Sequence, residues 1–251
     1  MSRRRSRRRD RERELLIRKR LITFTALAAL LVFFFLFFQL RVVRVKGNLH
    51  EKPEEVTALL LTRPSAGNTL LTALMNMNRT ITTPGFIESV RCEILARDAL
   101  RVYVTERKFV GCAEYKGKWW YFDSSGKVMA EAASPVEGEL TPPVEGLSIS
   151  AEPTLTFVLP TSNTRSFAML GMLRNRIEVN NALRPDKVIF EGSAMTLVYG
   201  DVNVLMGTGE KLELRLRQLN ALLPELTSGY SGTLHMETYD GSQGGIVFDK
   251  S

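Results

Sequence analysis

The most apolar part of the chain is residues 21–40, LITFTALAALLVFFFLFFQL, whose only polar side chains are Thr23, Thr25 and Gln39. Twenty helical residues rise about 30 Å, which matches the hydrocarbon thickness of a bilayer. A buried core helix normally keeps a polar face. A cleaved signal peptide normally has a shorter apolar region that ends in small residues, whereas this run ends in Phe-Phe-Gln-Leu-Arg. The pattern therefore predicts one uncleaved membrane span.

Residues 41–112 alternate between strand-like and helix-like patterns. A β-branched run at 42–46 predicts a strand, and residues 89–94 and 100–106 alternate apolar and polar side chains as half-buried strands do. Between them, Pro53 opens one helix, which Arg63-Pro64 ends, and Asn68 opens another. The expected buried stripes of the two helices are Val56, Leu59 and Leu60, and then Leu70, Leu71, Leu74 and Met77. The order β-α-α-β-β predicts two helices covering one face of a small sheet.

Residues 113–251 are richer in strand patterns, and two helices are expected to cover the sheet. A turn at Lys116-Gly117-Lys118 predicts a hairpin that includes Trp119 and Trp120, and residues 135–143 predict a loop. The predicted helices are 165–180 and 210–223, the second ended by Pro224, and the predicted strands are 187–191, 194–199, 202–206, 233–239 and 245–249. The whole chain is therefore expected to be α+β, with a basic tail at 1–20, a span at 21–40 and two modules at 41–112 and 113–251.

The positive charge of the chain is concentrated before the predicted span. Residues 1–20 carry eleven Lys and Arg against three acidic residues, a net charge of +8, whereas the whole chain has +7. A basic block can bind nucleic acid, but next to a span it is more simply a topology signal. We therefore expect a single-pass type II protein of the cell membrane, with a cytoplasmic tail, extracytoplasmic modules and no nucleic-acid partner.

The sequence carries no motif for catalysis or for binding a metal or cofactor. Cys92 and Cys112 can be paired or unpaired, because the sequence contains no distance information. The two histidines, His50 and His235, are too few for a metal site and accompany no nucleophile motif. Residues 207–211, GTGEK, lack the spacing of a phosphate-binding loop and predict a strand-to-helix turn. We expect no catalytic, cofactor-binding or metal-binding residue, no small-molecule substrate and no enzymatic activity.

Two strings carry a resemblance to a known family. The segment ESVRCEILARDALRVYVTERKFVG at 88–111, placed after a span, a short strand and a Pro-Glu-Glu helix, resembles a POTRA module of the bacterial cell-division proteins FtsQ and DivIB. The string Tyr-Phe-Asp-x-x-Gly-x-Val at 121–128 is similar to the same family. The chain departs from that family at Ala99 and Phe109, where proline is common. The matching positions in the first string are Arg97, Leu100, Val102, Val104, Glu106, Arg107 and Val110.

The resemblance implies a non-enzymatic scaffold of the divisome at the division septum. Such a scaffold binds other single-span division proteins, of the FtsB/DivIC and FtsL types, and helps to assemble and regulate septal peptidoglycan synthesis. The resemblance also implies partner contacts in the last strands, at Tyr239, Ile246, Val247 and Phe248. A chain-terminal strand often lies at a sheet edge, so the expected mode is addition of a partner strand. Core packing is the alternative role for alternate members of this set.

A second hypothesis is a peptidoglycan-binding or wall-modifying membrane protein. Trp119 and Trp120 would then form an aromatic platform for sugars. No pair of carboxylates that could act on a glycan lies near them in the sequence. Cross-strand packing of the two indoles is therefore the favoured interpretation.

Overall fold

The structure is a computed structural model that describes residues 2–62, 67–135, 140–226, 229–242 and 245–250, with side chains from residue 16 onward. The chain combines one N-terminal apolar helix with a strand-rich remainder, which confirms the mixed α+β class. The helices are α1 Ser2–Phe37, α2 Pro53–Leu61, α3 Thr69–Met75, α4 Arg165–Val179 and α5 Leu212–Leu226. The strands are β1 Val42–Lys46, β2 Arg79–Thr80, β3 Ile87–Ala96, β4 Ala99–Glu106, β5 Gly111–Tyr115, β6 Lys118–Phe122, β7 Val128–Ala132, β8 Val144–Glu145, β9 Lys187–Glu191, β10 Ala194–Tyr199, β11 Val202–Gly207, β12 Gly232–His235 and β13 Val247–Lys250.

Within the described residues, one helical segment is long and apolar enough to cross a bilayer. This segment is Leu16–Phe37, 22 residues within α1, and none of its most apolar 18-residue window is buried against the protein. The helix ends at Phe37, three residues before the predicted end of the span at Leu40. The Phe38 amide still donates to the Phe34 carbonyl, but the Phe38 carbonyl and the Leu40 amide bond to Thr69 and Gly67, so the chain leaves the helix there.

The chain divides into two compact units. Unit 1 comprises residues 1–81 and 87–105, and unit 2 comprises residues 82–86 and 106–251. Unit 1 contains a four-stranded sheet in the order β1-β4-β3-β2, in which β1 is parallel to β4. Helices α2 and α3 contribute Val56, Leu60 and Ala73 to its core, and the strands contribute Val90, Cys92, Leu100, Val102 and Val104. The strands predicted at 42–46, 89–94 and 100–106 are confirmed.

The predicted buried stripe of α3 is wrong. The helix buries Thr69, Thr72 and Ala73, whereas Leu74 on the predicted stripe is 63% exposed. The first turn decides this orientation, because the backbone of residues 67–69 bonds to residues 38–40 and thereby orients the helix. A seven-residue helix makes too few contacts for its apolar side chains to overrule such an anchor. The predicted stripe of α2 is correct at Val56 and Leu60, and its predicted end at Arg63-Pro64 lies outside the described residues.

Unit 2 is built on a six-stranded sheet in the order β13-β12-β11-β10-β9-β8. The pairs β8–β9 and β11–β12 are parallel and are connected by α4 and α5 respectively, while the other neighbours are antiparallel. Both crossovers step in the same direction across the sheet. Because such connections are almost always right-handed, both helices are expected on the same face. Both helices indeed contribute to one core, through Leu170, Leu173, Ile177, Leu216, Leu219 and Leu223.

The predicted hairpin near residue 117 forms two strands of a smaller sheet in the order β5-β6-β7. Lys116 and Gly117 both have positive φ, 52° and 76°, which gives the twist that a two-residue hairpin needs. Neighbouring residues of a strand point to opposite faces, so the two indoles do not share one surface. Trp120 is buried in the core, whereas Trp119 is partly exposed. The paired-indole platform is therefore absent from this hairpin.

Several boundaries near the C-terminus differ from prediction. Helix α5 continues through Pro224 to Leu226, because proline near a helix end removes only one hydrogen bond. The last two strands are shorter than expected, β12 ending at His235 and β13 beginning at Val247. The meander at 187–206 and the helix at 165–180 are confirmed. Residues 136–139 of the predicted loop lie outside the described residues.

Candidate functional site

The candidate site is the edge of the unit 2 sheet formed by β13. This strand pairs antiparallel with β12 from Val247↔His235 to Lys250↔Gly232, and it is the terminal strand in the sheet order. An edge strand presents unpaired backbone N–H and C=O groups to a partner. Asp249 and Lys250 are exposed on it, and such charges discourage unspecific pairing between edges. Among the described residues, no further strand pairs with β13, and its outer edge carries charged side chains.

The two faces of β13 differ in chemistry. Phe248 pairs with Leu234, whose side chain is buried, and Phe248 packs against the same core. Val247 pairs with His235 on the opposite face and is 55% exposed. A strand added along this edge would thus meet an apolar residue on the core side and an exposed valine on the outer side.

A groove runs between β13 and the last turns of α5. Its volume is about 290 Å³. Tyr230 stands at its side, with its ring 5.9 Å from that of Phe248 and 4.9 Å from the ammonium of Lys250. The groove lining is otherwise almost entirely apolar, which suits an aliphatic or aromatic side chain of a partner. Its lining residues are Leu222, Glu225, Leu226, Tyr230, Leu234, Ile246 and Phe248.

The four residues predicted as partner contacts do not form one surface. Ile246 and Phe248 line the groove, whereas Val247 lies on the outer face of the strand. Tyr239 is partly buried and packs against the core, and it does not line the groove.

The path of the chain between β12 and β13 depends on a buried arginine of α5. Arg215 is 6% exposed and donates hydrogen bonds from Nη1 to the Met206 carbonyl at 2.7 Å and from Nη2 to the Glu237 carbonyl at 2.6 Å. Its Nε donates to the Tyr239 carbonyl at 3.1 Å. One guanidinium therefore holds the end of β11 and the segment after β12, from which the chain returns to β13. Tyr239 therefore takes part in holding this segment through its backbone carbonyl, which accepts the hydrogen bond from Arg215.

The outer face of the edge carries a histidine between two carboxylates. Nδ1 of His235 lies 2.8 Å from Oε1 of Glu237, and Nε2 lies 3.3 Å from Oδ2 of Asp249. A neutral imidazole has one N–H, so both contacts can be donated only by the protonated ring. The hydrogen bond to Glu237 is the main cause that raises the pKa of His235 above its usual 6.5, and the charge of Asp249 acts in the same direction.

This arrangement predicts a pH-dependent edge. Since the folded pKa of His235 is above the unfolded value, its stabilising contribution is fully present below pH 6.5 and is lost as pH rises through the folded pKa. Histidine C–H resonances of the full-length protein in detergent should show His235 titrating above 6.5. Glu237→Gln should lower that pKa more than Asp249→Asn does. A wild-type pKa at or below 6.5 would show that the contacts are not ion pairs.

The structure adds groove and anchor residues that the sequence interpretation missed. Leu222 and Leu226 form an i, i+4 apolar pair beside the buried leucines of α5, and this pair was the available signal for a second apolar surface. Arg215 lies three residues after the buried Leu212, so its position on the buried face was also visible in the spacing. Tyr230 is an aromatic residue between a helix and a strand, and nothing in the local sequence pattern assigns it to the groove.

The described residues of the site offer a strand edge and an apolar groove. Among the described residues, no group of three His, Cys, Asp or Glu side chains is placed to hold a metal ion. Cys92 and Cys112 are both buried, and Sγ of Cys112 lies 3.8 Å from the Pro142 carbonyl oxygen. An open strand edge beside an apolar groove can pair with an extended peptide and accept one of its side chains.

Comparisons with known proteins give no further assignment. No protein-family model matches this chain, and no curated protein matches it.

Proposed function

We propose that this protein is a membrane-anchored, non-enzymatic scaffold that binds a partner protein along β13. The observation that carries the proposal is the open edge of a six-stranded sheet beside an apolar groove of about 290 Å³. The bilayer-length segment Leu16–Phe37 supports anchoring through a single span. The basic residues before it support a cytoplasmic N-terminus and extracytoplasmic units.

The process we propose is bacterial cell division. In unit 1, strand β1 is followed by α2 and α3 and then by further strands, and β1 is parallel to β4. This arrangement is compatible with a POTRA module. Together with the resemblance of residues 88–111 and 121–128, this supports membership of the FtsQ/DivIB group. The protein would then act at the septum, bind single-span partners of the FtsB/DivIC and FtsL types, and help to regulate septal peptidoglycan synthesis.

The partner is expected to bind as a strand followed by a side-chain anchor. Main-chain hydrogen bonds along β13 would supply affinity, and an apolar partner side chain in the groove would supply selectivity. Ile246 and Phe248 would contact that side chain as part of the groove lining, while Val247 would contact the added strand on the outer face of the sheet. Tyr239 would act indirectly, by holding the segment that leads to β13.

A substitution on the outer face of the edge tests this mode. Val247→Asp places a carboxylate beside Glu237 and Asp249 and against the added strand, so partner affinity should fall at least about tenfold, or 1.4 kcal/mol. Asn203→Asp is the matched control, because Asn203 is exposed on the same outer face of β11, two strands away. The measurement is co-purification of the tagged full-length protein from dividing cells, with circular dichroism of each variant.

Each result has one meaning. Loss of the division partners with Val247→Asp and their retention with Asn203→Asp supports edge binding. Retention with both variants would show that the partner binds elsewhere. Absence of any division protein from the wild-type purification would overturn the proposed process.

The peptidoglycan-binding alternative has little support from the described residues. Because Trp120 is buried in the core, it cannot stack on a sugar without unfolding the hairpin. A pull-down of the full-length protein on purified peptidoglycan tests this directly. Binding that is lost with Trp119→Ala, with no division partner co-purified, would favour the wall-binding function.

A further inference from the structure

We propose that the end of unit 1 next to α1 is a membrane-docking surface that lies in the headgroup layer of the bilayer. Its parts are the aliphatic side chains of Leu70 and of Ile94 and Leu95, which lie on the two faces of the end of β3, and the guanidinium groups of Arg41 and Arg97. The proposal rests on the proposed function only in that α1 must cross the membrane. It adds that unit 1 is held on the lipid surface in one orientation.

The chain between α1 and the first strand has no room for a flexible linker. The helix ends at Phe37 and β1 begins at Val42. Within that interval, the amides of Arg41 and Val42 both donate to the Asp98 carbonyl, at 2.9 and 3.1 Å. The turn between β3 and β4 is thereby attached directly at the exit of the helix.

A second loop is attached at the same place. The Leu40 amide donates to the Gly67 carbonyl at 3.0 Å, and the Thr69 amide donates to the Phe38 carbonyl at 2.7 Å. Asn68 lies between them, 1% exposed, and its side chain caps α3 by accepting from the amides of Leu70 and Leu71. Two loops of unit 1 are therefore hydrogen-bonded to the short segment that directly follows α1.

The distances place these loops at headgroup depth. The uncharged part of Leu16–Phe37 is residues 21–37, which follow Arg18, Lys19 and Arg20 and are about 26 Å long as a helix, near the short limit for a hydrocarbon layer of about 30 Å. The end of α1 therefore lies at the boundary of that layer. The headgroup layer adds roughly 5–7 Å on each side. Leu95 is two strand residues before the turn at Arg97-Asp98, about 7 Å along the strand. Leu70 directly follows Thr69, which bonds to Phe38.

The side chains exposed there suit a bilayer rather than water. Leu70, Ile94 and Leu95 are 37%, 47% and 36% exposed, although each lies beside the anchored backbone. Aliphatic side chains at this depth gain free energy from the interface. The continuity of this patch with the unburied α1 is the reason to choose lipid as its occupant.

Two arginines complete the surface. The guanidinium of Arg97 lies 5.2 Å from the ring centre of Phe37, which fixes it over the last turn of α1. Arg41 and Arg97 line a small polar cleft of about 60 Å³ together with Gln39 and Asp98. The two guanidinium groups outnumber the single carboxylate, and arginine binds phosphate with paired N–H donors. The surface therefore favours the phosphate groups of lipids, and anionic lipids most.

Spin labels on the full-length protein in nanodiscs test the docking. Leu95→Cys and Leu70→Cys place labels on the surface, and Leu49→Cys is the matched control, a 78% exposed leucine just past the far end of β1. The native thiols should stay unlabelled at pH 7, because both are buried and burial raises the pKa of Cys92 to about 11. Phe35→Cys reports on the span itself.

We expect the ratio of oxygen to nickel-chelate accessibility to be several-fold higher at positions 70 and 95 than at position 49. An equal ratio at all three positions, with position 35 inside the lipid, would overturn the docking but leave the span intact. A water-accessible label at position 35 would instead overturn the span, and with it the membrane-anchored function. Partner binding at β13 is measured separately and does not affect this readout.

Lipid composition tests the arginines. In nanodiscs of phosphatidylcholine with phosphatidylglycerol, the label at position 95 should lie deeper than in phosphatidylcholine alone. Arg41→Gln combined with Arg97→Gln should abolish that difference, while Arg91→Gln, an exposed arginine in the middle of β3, should keep it. A difference that survives the double substitution would show that the arginines do not bind the headgroups.

Discussion

Arg215→Met is expected to cause the largest loss of stability in unit 2. The substitution keeps an aliphatic side chain of similar length but removes three donors, so the buried carbonyl of Met206 and the partly buried carbonyls of Glu237 and Tyr239 lose their charged partner. Hydrogen bonds to charged groups contribute about 1.5–3 kcal/mol each, so the free energy of unfolding should fall by about 3 kcal/mol or more. For a unit of this size, that corresponds to a decrease of roughly 6–12 °C in the unfolding midpoint.

The measurement is thermal unfolding of the full-length protein in detergent, followed by near-ultraviolet circular dichroism of the tryptophans in unit 2. Arg217→Met is the control, because Arg217 is exposed on the same helix and its loss removes the same charge. The control should change stability by no more than about 0.5 kcal/mol. Equal effects of the two substitutions would show that the effect comes from net charge and not from the three carbonyls.

Gly232→Ala is expected to detach β13 from the sheet and thereby abolish partner binding. A Cβ atom at Gly232 would lie 2.0 Å from the Asp249 carbonyl oxygen, and the φ of +147° is already unfavourable for any other residue. Because the contact is with backbone, no side-chain rotation relieves it, and β13 must move away from β12. Amide hydrogen exchange of residues 247–250 should lose its protection, and co-purified partner should be lost.

Gly200→Ala separates the clash from backbone strain. Gly200 also has positive φ, +57°, but no atom lies within 4 Å of the Cβ position. This control should cost only about 1 kcal/mol and leave residues 247–250 protected. Partner binding retained by Gly232→Ala, despite loss of protection, would show that β13 is not the docking edge.

Local sequence patterns were sufficient to predict the elements that depend on interactions within a few residues. Helix α4 buries Phe167, Leu170, Leu173 and Ile177, the stripe that its 3.6-residue period predicts. The hairpin around Gly117 follows from two residues that accept positive φ. These features depend on interactions within a few residues, so the sequence contains all of their causes.

Prediction was weaker where a distant contact outweighs the local pattern. Helix α3 turns its leucines outward because Asn68 and its neighbours bond to residues 38–40, about thirty positions earlier. The period of the sequence showed an apolar stripe but not which face the anchor would bury. Pro224 was similarly overruled, since packing of Leu223 in the core outweighs one lost hydrogen bond.

Of the four residues predicted as partner contacts, two lie at the groove and two do not. Ile246 and Phe248 line the groove that a partner side chain would enter, but Tyr239 acts through Arg215, which no local pattern placed beside it. The groove itself joins the end of α5 to β13, which are about twenty residues apart in sequence. A cavity between such segments depends on their relative position and has no sequence pattern of its own.

By itself, the sequence determined that one helix of bilayer length precedes a mixed α+β chain with alternating strands, because length, hydropathy and periodicity are local properties. Only the tertiary structure decided that β1 lies parallel to β4, that β13 is the edge of its sheet, and that α3 exposes its leucines. The physical reason is that strand pairing and helix orientation are chosen by contacts between residues far apart in the chain. Many pairings satisfy the same local pattern, and the lowest free energy among them is reached only in the packed protein.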